Sequence, residues 1–155
     1  MSVDLTPEGT HGVKWTKAPV PLQKAFFKVF SLLVRLIGIR VLTLTTIGAR
    51  SGHAHRVDLS YFPEGENAWL IVASKAGSAK HPAWYYNLGR NPDQVWVKIG
   101  KRRLHVQAES LKGEERSEAY RRIAAQVPAY AGYQEKTDRA IPVIRLKPVQ
   151  QETAG

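Results

Sequence analysis

Hydrophobic and polar residues alternate along several stretches of the chain with the two-residue period of β-strands. In the stretch 56–62, for example, Val57, Leu59 and Tyr61 fall on one side. The other predicted strands cover 41–46, 69–74, 94–99, 102–110 and 142–146. Because short turns join most of these stretches and few helices separate them, the pattern predicts a mainly β (α+β) fold, an antiparallel barrel rather than a parallel sheet.

Three stretches carry helical signals instead. Residues 22–38 are almost entirely apolar, except for a narrow stripe of Lys24, Lys28, Ser31 and Arg35. Charges interrupt this stretch too often for a transmembrane helix, which needs about 20 mostly apolar residues. We expect either a helix that covers one end of the β core or one that lies at a membrane surface. A second helix is predicted to begin at Pro82 and a third to cover 114–127.

The chain is predicted to form one domain. Residues 1–18 are polar and predict a loose N-terminal arm, 19–148 form the domain, and 149–155 are a tail. The absence of cysteine excludes disulfides, thiolate nucleophiles and cysteine-bound metals. No signal-peptide pattern is visible, so we expect a cytoplasmic protein, and the 22–38 stretch would allow it to associate with the inner face of the cell membrane.

The net charge of +10 is unevenly distributed, because no acidic residue occurs between Lys14 and Arg56. Such an excess favours an anionic partner, which can be a nucleic acid, an acidic lipid or a polyanionic cofactor. No nucleic-acid recognition motif occurs in the sequence, so we expect no nucleic-acid partner.

Two segments are candidates for holding a flat anionic ligand. In the turn 48–56, two glycines allow the backbone to fold tightly, and Arg50, Ser51 and Arg56 add hydrogen-bond donors. The segment 73–92 places Lys75 among small residues and follows it with three aromatic residues. No Walker pattern, hydrolase elbow or metal-ligand spacing is present, so neither a catalytic triad nor a metal site is expected.

Tyr130 and Tyr133 are three residues apart, so both could face one way on a helical turn. They either pack against the barrel or form an aromatic wall over a planar substrate. In the second case a phenol would be able to donate a hydrogen bond to that substrate.

Three motifs, in the order TT.G..SG, ASK.G..KHPAWY.NL..NP and PAY..YQ..TDR.IPV, resemble the deazaflavin-dependent nitroreductase family. The resemblance runs from about Leu42 to Pro148. It implies a split β-barrel related to flavin-binding oxidoreductases. It also implies coenzyme F420, an 8-hydroxy-5-deazaflavin, as cofactor and hydride transfer to a quinone, nitroaromatic or activated enone. The alternative is the same barrel with FMN, haem or another flat anionic cofactor.

The resemblance also implies a set of site residues. The implied cofactor-binding residues are Ala49, Arg50, Ser51, Gly52, His55, Arg56, Val57, Asp58, Leu59, Ser60, Val72, Ala73, Ser74, Lys75, Ala83, Trp84, Tyr85, Tyr86 and Asn87. The implied catalytic residues are Ser74, Tyr130 and Tyr133. Within the aromatic run, we expect Trp84 and Tyr85 to face the ligand and Tyr86 to belong to the core.

The chain departs from the family pattern at four positions. Ala49 stands where a second basic residue is common, His55 where arginine is common, and Asp58 where proline is usual. Val127 replaces an aromatic residue. These differences leave open which coenzyme tail length and which electron acceptor the protein prefers.

Overall fold

A computed structural model of the protein describes residues 2–14, 29 and 40–149. The predicted helix of 22–38 therefore lies outside the described residues, apart from position 29, as do 15–18 of the predicted arm and 150–155 of the predicted tail. Within the described residues, no helix is long and apolar enough to cross a membrane.

Six antiparallel strands close into a barrel in the order β1-β2-β3-β6-β5-β4. The strands are β1 (Arg40–Ile47), β2 (Ala54–Pro63), β3 (Trp69–Val72), β4 (Val95–Ile99), β5 (Arg102–Ser110) and β6 (Val143–Pro148). Pairing of β1 with β4, with Thr43 opposite Lys98 and Thr46 opposite Val95, completes the closure. The predicted antiparallel barrel is confirmed, and every predicted strand is present.

The alternating pattern fills the interior of the barrel, because side chains two residues apart on a strand share a face. The barrel core includes Leu42, Leu44, Ile71, Val95, Val97, Val106, Ile144 and Leu146. All of these side chains are at most 2% exposed. Burial of apolar area at this scale is the main driving force for the fold.

Strand β3 is buried on both faces, which explains its unbroken apolar sequence. Trp69 and Ile71 point into the barrel, whereas Leu70 and Val72 belong to a second apolar layer outside it. The outer layer lies under two helices, α2 (Gly113–Gln126) and α3 (Ala129–Glu135). The remaining helix, α1 (Ala83–Arg90), joins β3 to β4 after a short 3-10 helix at Lys75–Gly77.

Residues 2–14 do not form the loose arm that their polar composition predicted. Val3 is buried in the barrel core, and its neighbour Ser2 accepts a hydrogen bond from Ser110 N at 3.1 Å. Further along, Gly9 N donates to Ala79 O at 2.8 Å. Hydrogen bonds between backbone groups do not depend on side-chain polarity, and this is why composition alone did not reveal the attachment.

Candidate functional site

The turn between β1 and β2 is tight and depends on two glycines. Gly48 N donates to His53 O at 2.8 Å, and Gly52, with a φ of 70°, donates to Gly48 O at 3.0 Å. A Cβ atom on Gly48 would lie 2.4 Å from Ser51 Oγ and 2.8 Å from His55 Nε2. The turn therefore requires glycine at position 48, as the sequence indicated, and it places Ser51 Oγ 3.2 Å from His55 Nε2.

Helix α1 holds this turn in place through two asparagines. Asn87 Oδ1 accepts a hydrogen bond from Ala49 N at 2.9 Å, and Asn87 Nδ2 donates to Thr46 Oγ1 at 3.1 Å. One helical turn later, Asn91 Nδ2 donates to Ile47 O at 3.1 Å. The predicted site residue Asn87 is thus fully engaged in fixing the backbone of the turn.

A cavity of about 960 Å³ lies between the turn, the start of β2, helix α1 and the N-terminal segment. The predicted site residues that line it are Ala49, Arg50, Ser51, His55, Arg56, Val57, Ala83, Trp84, Tyr86 and Asn87. Its volume lies at the upper end of the range for small-molecule sites, about 300–1,000 Å³. Four further lining residues, Leu5, Glu8, Thr46 and Arg90, were missed from the sequence, and Leu5 and Glu8 belong to the segment interpreted as a loose arm.

The cavity carries an excess of positive charge. Arg50, Arg56 and Arg90 line it, and Glu8 is the one acidic residue among the described lining residues. Glu8 accepts a hydrogen bond from the Tyr86 hydroxyl. Burial, together with this carboxylate, raises the pKa of Tyr86 to about 12. The three arginine side chains fit an anionic ligand, since arginine pairs well with phosphate and carboxylate oxygens.

The orientation of the aromatic run differs from the prediction. Ala83, Tyr86, Asn87 and Arg90 line the cavity, and this spacing of three, one and three residues is one face of a helix. Tyr85 is fully buried, and its hydroxyl donates to Asp4 O at 2.9 Å. The expectation that Tyr85 faces the ligand and that Tyr86 belongs to the core is therefore wrong, because the helix begins at Ala83 and turns Tyr85 towards the barrel. Trp84 is buried at the cavity wall.

Tyr130, Tyr133 and several predicted residues of β2 and β3 form a second group, away from the cavity lining. Gly52 lies in the β1–β2 turn itself. Tyr130 packs edge-on against Phe62 at 5.7 Å and against Tyr133 at 5.5 Å, measured between ring centroids. Burial raises the pKa of Tyr130 to about 12, partly offset by a hydrogen bond with the side chain of Ser60. Val72 and Ala73 are buried in the two apolar layers, and Leu59 is partly buried against the barrel core.

Strand β2 connects the cavity with this second group. Residues Arg56, Asp58 and Ser60 are two apart, so their side chains share the outer face of the strand. Asp58 is exposed between them and accepts a hydrogen bond from Thr43 Oγ1 at 2.7 Å. A ligand that extends from the cavity towards Tyr130 would therefore pass this carboxylate.

The loop after β3 is held by Arg139, which the sequence analysis did not single out, although it lies in the third motif. Its guanidinium donates to Ala73 O at 3.0 Å, to Ser74 O at 2.7 Å and to Ser78 O at 2.7 Å. Arg139 Nη1 also lies 3.1 Å from His81 Nδ1. Ser74 and Lys75 belong to this loop, so Arg139 determines where two predicted site residues lie.

These contacts define the tautomer of the buried His81. Because arginine can only donate, Nδ1 must accept, and Nε2 carries the proton. Nε2 then donates to Thr6 O at 2.9 Å, with Pro7 O also within reach at 3.2 Å. Burial, reinforced by the charge of Arg139, lowers the pKa of His81 below its ordinary value of 6.5, although the carbonyl contacts oppose the shift.

Within the part of the chain that the structure describes, no group of three or more His, Asp or Glu side chains could hold a metal ion.

Comparisons with known proteins identify the family. The family model described as F420H(2)-dependent quinone reductase matches residues 27–148. A Mycobacterium tuberculosis protein named F420H(2)-dependent quinone reductase Rv1261c is 37% identical over 110 residues, which cover 68% of this chain and 71% of that protein. A solved structure of an F420-H2 dependent reductase, FDR-A, is 40% identical with a TM-score of 0.62, covering 70% of this chain and 94% of that one.

A second solved structure, described as a domain-swapped dimer, is 34% identical with a TM-score of 0.62 and covers 83% of this chain and 100% of that one. The chain therefore belongs to the F420H(2)-dependent quinone reductase family. It is a split-barrel oxidoreductase whose cofactor is coenzyme F420, as the three motifs predicted. The arginine-lined cavity fits the anionic portion of such a coenzyme.

We predict that folding stability decreases as the pH falls below about 6.5, because His81 binds a proton more readily in the unfolded chain. A protonated His81 would point an Nδ1–H at the Arg139 guanidinium, and the nearby Glu8 charge and the rings of Tyr85 and Tyr86 provide only partial compensation. The measurement is urea unfolding at several pH values between 5 and 8.

In the same experiment, His81→Gln should weaken the dependence on pH, whereas His53→Gln, at an exposed position of the β1–β2 turn, should retain it. An unchanged dependence in His81→Gln would contradict the assignment of this titration to His81.

Proposed function

We propose that the cavity beside the β1–β2 turn binds the phosphate and glutamate portion of coenzyme F420. In this proposal, the loop at Ser74 and the tyrosines of α3 hold its ring and the electron acceptor. The observation that carries the proposal is the convergence of Arg50, Arg56 and Arg90 on one cavity at the end of the barrel. When bound, the reduced deazaflavin supplies the hydride, and a quinone is the acceptor that the family favours.

The charge of the cavity supports the assignment of the tail. Arg50 lies in the tight turn whose backbone α1 holds through Ala49 N, so ordering this loop on binding costs little entropy. His55 and Arg56 both line the cavity, although they are neighbours on a strand. Arg56 is therefore able to compensate for His55 at the position where relatives commonly have arginine.

Asp58 distinguishes the tail preference of this chain in the proposal, because its carboxylate would repel additional glutamates that lie along β2. Fluorescence titration with coenzymes of different tail length measures this preference. The same titration of arginine variants is needed beside it, because those variants test whether the tail binds in this cavity. The electron acceptor in this proposal is a quinone, a nitroaromatic compound or an activated enone.

The tyrosines of α3 are suited to donate a hydrogen bond to the acceptor. Because the pKa of Tyr130 is raised to about 12, its phenol keeps the proton at neutral pH. A preorganised donor stabilises negative charge that develops on a carbonyl oxygen as it receives a hydride. Tyr133, in ring contact with Tyr130, is the second candidate donor, and Ser74 is proposed to orient the ring of the coenzyme.

We predict that Arg50→Ala and Arg56→Ala each weaken F420 binding by roughly 10- to 100-fold, the usual effect of losing a charge-assisted hydrogen bond of about 1.5–3 kcal/mol. The measurement is fluorescence titration at constant ionic strength. Arg102→Ala, at an exposed position in the β4–β5 hairpin, is the matched control and should leave the dissociation constant unchanged.

An unchanged affinity in Arg50→Ala would show that the tail binds elsewhere. The same titration with FMN examines the alternative cofactor, and tighter binding of FMN than of F420 would contradict the proposal.

We predict that Tyr130→Phe or Tyr133→Phe lowers kcat for quinone reduction by about 100-fold, while the dissociation constant of F420 changes less than threefold. This split is expected because the hydroxyl would act on the acceptor in the transition state. Tyr61→Phe, in the barrel core, is the control. If both α3 variants keep the wild-type kcat, the tyrosines only pack against the barrel.

A cytoplasmic location with peripheral membrane contact is also part of the proposal. It is supported by the apolar 22–38 sequence with its basic stripe and by the apolar character of many quinones. We predict that the full chain sediments with vesicles of anionic phosphatidylglycerol and remains in the supernatant with neutral phosphatidylcholine. Equal recovery in both supernatants would rule out this membrane contact.

A further inference from the structure

The loop between β3 and α1 contains a strained turn. Lys75 has a φ of 41° and Ala76 has φ and ψ of 50° and 33°, and these are the non-glycine residues with positive φ within the described residues. Gly77 follows with a φ of 82°. Residues with a Cβ atom pay a steric cost in this left-handed region, and such strain persists only where surrounding contacts hold it.

The turn contains backbone hydrogen bonds of its own. Gly77 N donates to Ser74 O at 2.9 Å, and Ser78 N donates to Lys75 O at 3.0 Å. On its outer side the turn is pressed against α3, because a Cβ atom on Gly77 would lie 2.7 Å from Tyr133 O. These contacts limit the space available to the turn, but of the carbonyls that flank it they bind Ser74 O and not Ala73 O or Ser78 O.

Arg139 fixes those carbonyls. The three that it binds belong to Ala73 and Ser74, immediately before the strained residues, and to Ser78, immediately after them. Its side chain is buried, and within the described part of the chain no carboxylate lies within ion-pair distance of it. The planar guanidinium carries donors on three nitrogens in a rigid arrangement, so it can bind carbonyls at both ends of the turn at once. A lysine ammonium is a compact point charge without this arrangement.

We propose that Arg139 is a positioning residue that holds residues 75–77 in the left-handed turn and so presents Ser74 and Lys75 to the coenzyme. This inference rests on the proposed function of the loop. It predicts that losing Arg139 allows the turn to relax, and that coenzyme binding then weakens although Arg139 itself does not touch the ligand.

Glycine provides a specific test, because it adopts a left-handed conformation without the cost of a Cβ atom. Replacing Ala76 by glycine should matter little while Arg139 holds the turn. Without Arg139, the same replacement should partly restore the left-handed turn. Glycine at position 76 also relieves strain in the folded chain and so raises its stability. A role of Arg139 in global stability alone therefore predicts a recovery of Tm, but no recovery of the affinity measured well below the Tm.

The experiment compares the wild-type chain with Arg139→Gln, Arg139→Lys, Ala76→Gly and the double variant Arg139→Gln with Ala76→Gly. F420 affinity is measured by fluorescence well below each Tm. Amide hydrogen exchange of 73–81 is followed in the coenzyme-free chain. We expect the affinity to fall at least tenfold in Arg139→Gln and Arg139→Lys, to change less than twofold in Ala76→Gly, and to recover at least threefold in the double variant.

Exchange of 73–81 should accelerate in Arg139→Gln and slow again in the double variant. Unchanged affinity in both Arg139 variants, or no rescue by Ala76→Gly, would overturn the inference while leaving the proposed function intact. Failure of the wild-type chain to bind F420 would overturn both. If Arg139→Gln does not fold, Arg139→Lys with and without Ala76→Gly gives the same comparison.

Discussion

Closure of the barrel is the constraint on which the site depends. In the order β1-β2-β3-β6-β5-β4, strands β3 and β4 lie three places apart around the ring, on opposite sides of it. The chain that joins them must therefore cross an end of the barrel instead of forming a hairpin. That connection contains the strained turn, His81 and helix α1, and it meets the β1–β2 turn at the cavity. The site is thus a consequence of the topology.

A long connection over the end of a barrel exposes backbone groups that no strand can pair, and each buried one needs a partner. Side chains supply these partners. Asn87 and Asn91 bind the β1–β2 turn, Tyr85 binds the N-terminal segment, and Arg139 binds three carbonyls of the loop. Among the described residues, no buried side-chain nitrogen or oxygen is left without a hydrogen-bond partner. These side-chain hydrogen bonds therefore hold the loops that carry the site in a rigid frame.

The chemistry proposed for this frame requires little from the protein beyond orientation and charge. The arginines around the cavity provide attraction for an anion, and Tyr130, whose pKa is raised to about 12 by burial, provides a donor that remains protonated at neutral pH. A coenzyme that supplies the hydride leaves binding, orientation and electrostatics to the protein. The two groups of residues lie on different elements, and the outer face of β2 connects them. Asp58, one of the four departures from the family pattern, lies between them on that face.

The sequence alone determined the strands, the barrel class and the family, because alternation of apolar residues and three ordered motifs are local signals. It also located the β1–β2 turn and most of the cavity residues. Tertiary structure decided the rest. The attachment of residues 2–14, the inward direction of Tyr85 and the hold of Arg139 on Ala73 and Ser74 all arise between residues more than 60 positions apart. No pattern of neighbouring residues encodes such contacts, since they exist only once the barrel has closed and brought its crossing loop, third motif and N-terminal segment to the same end.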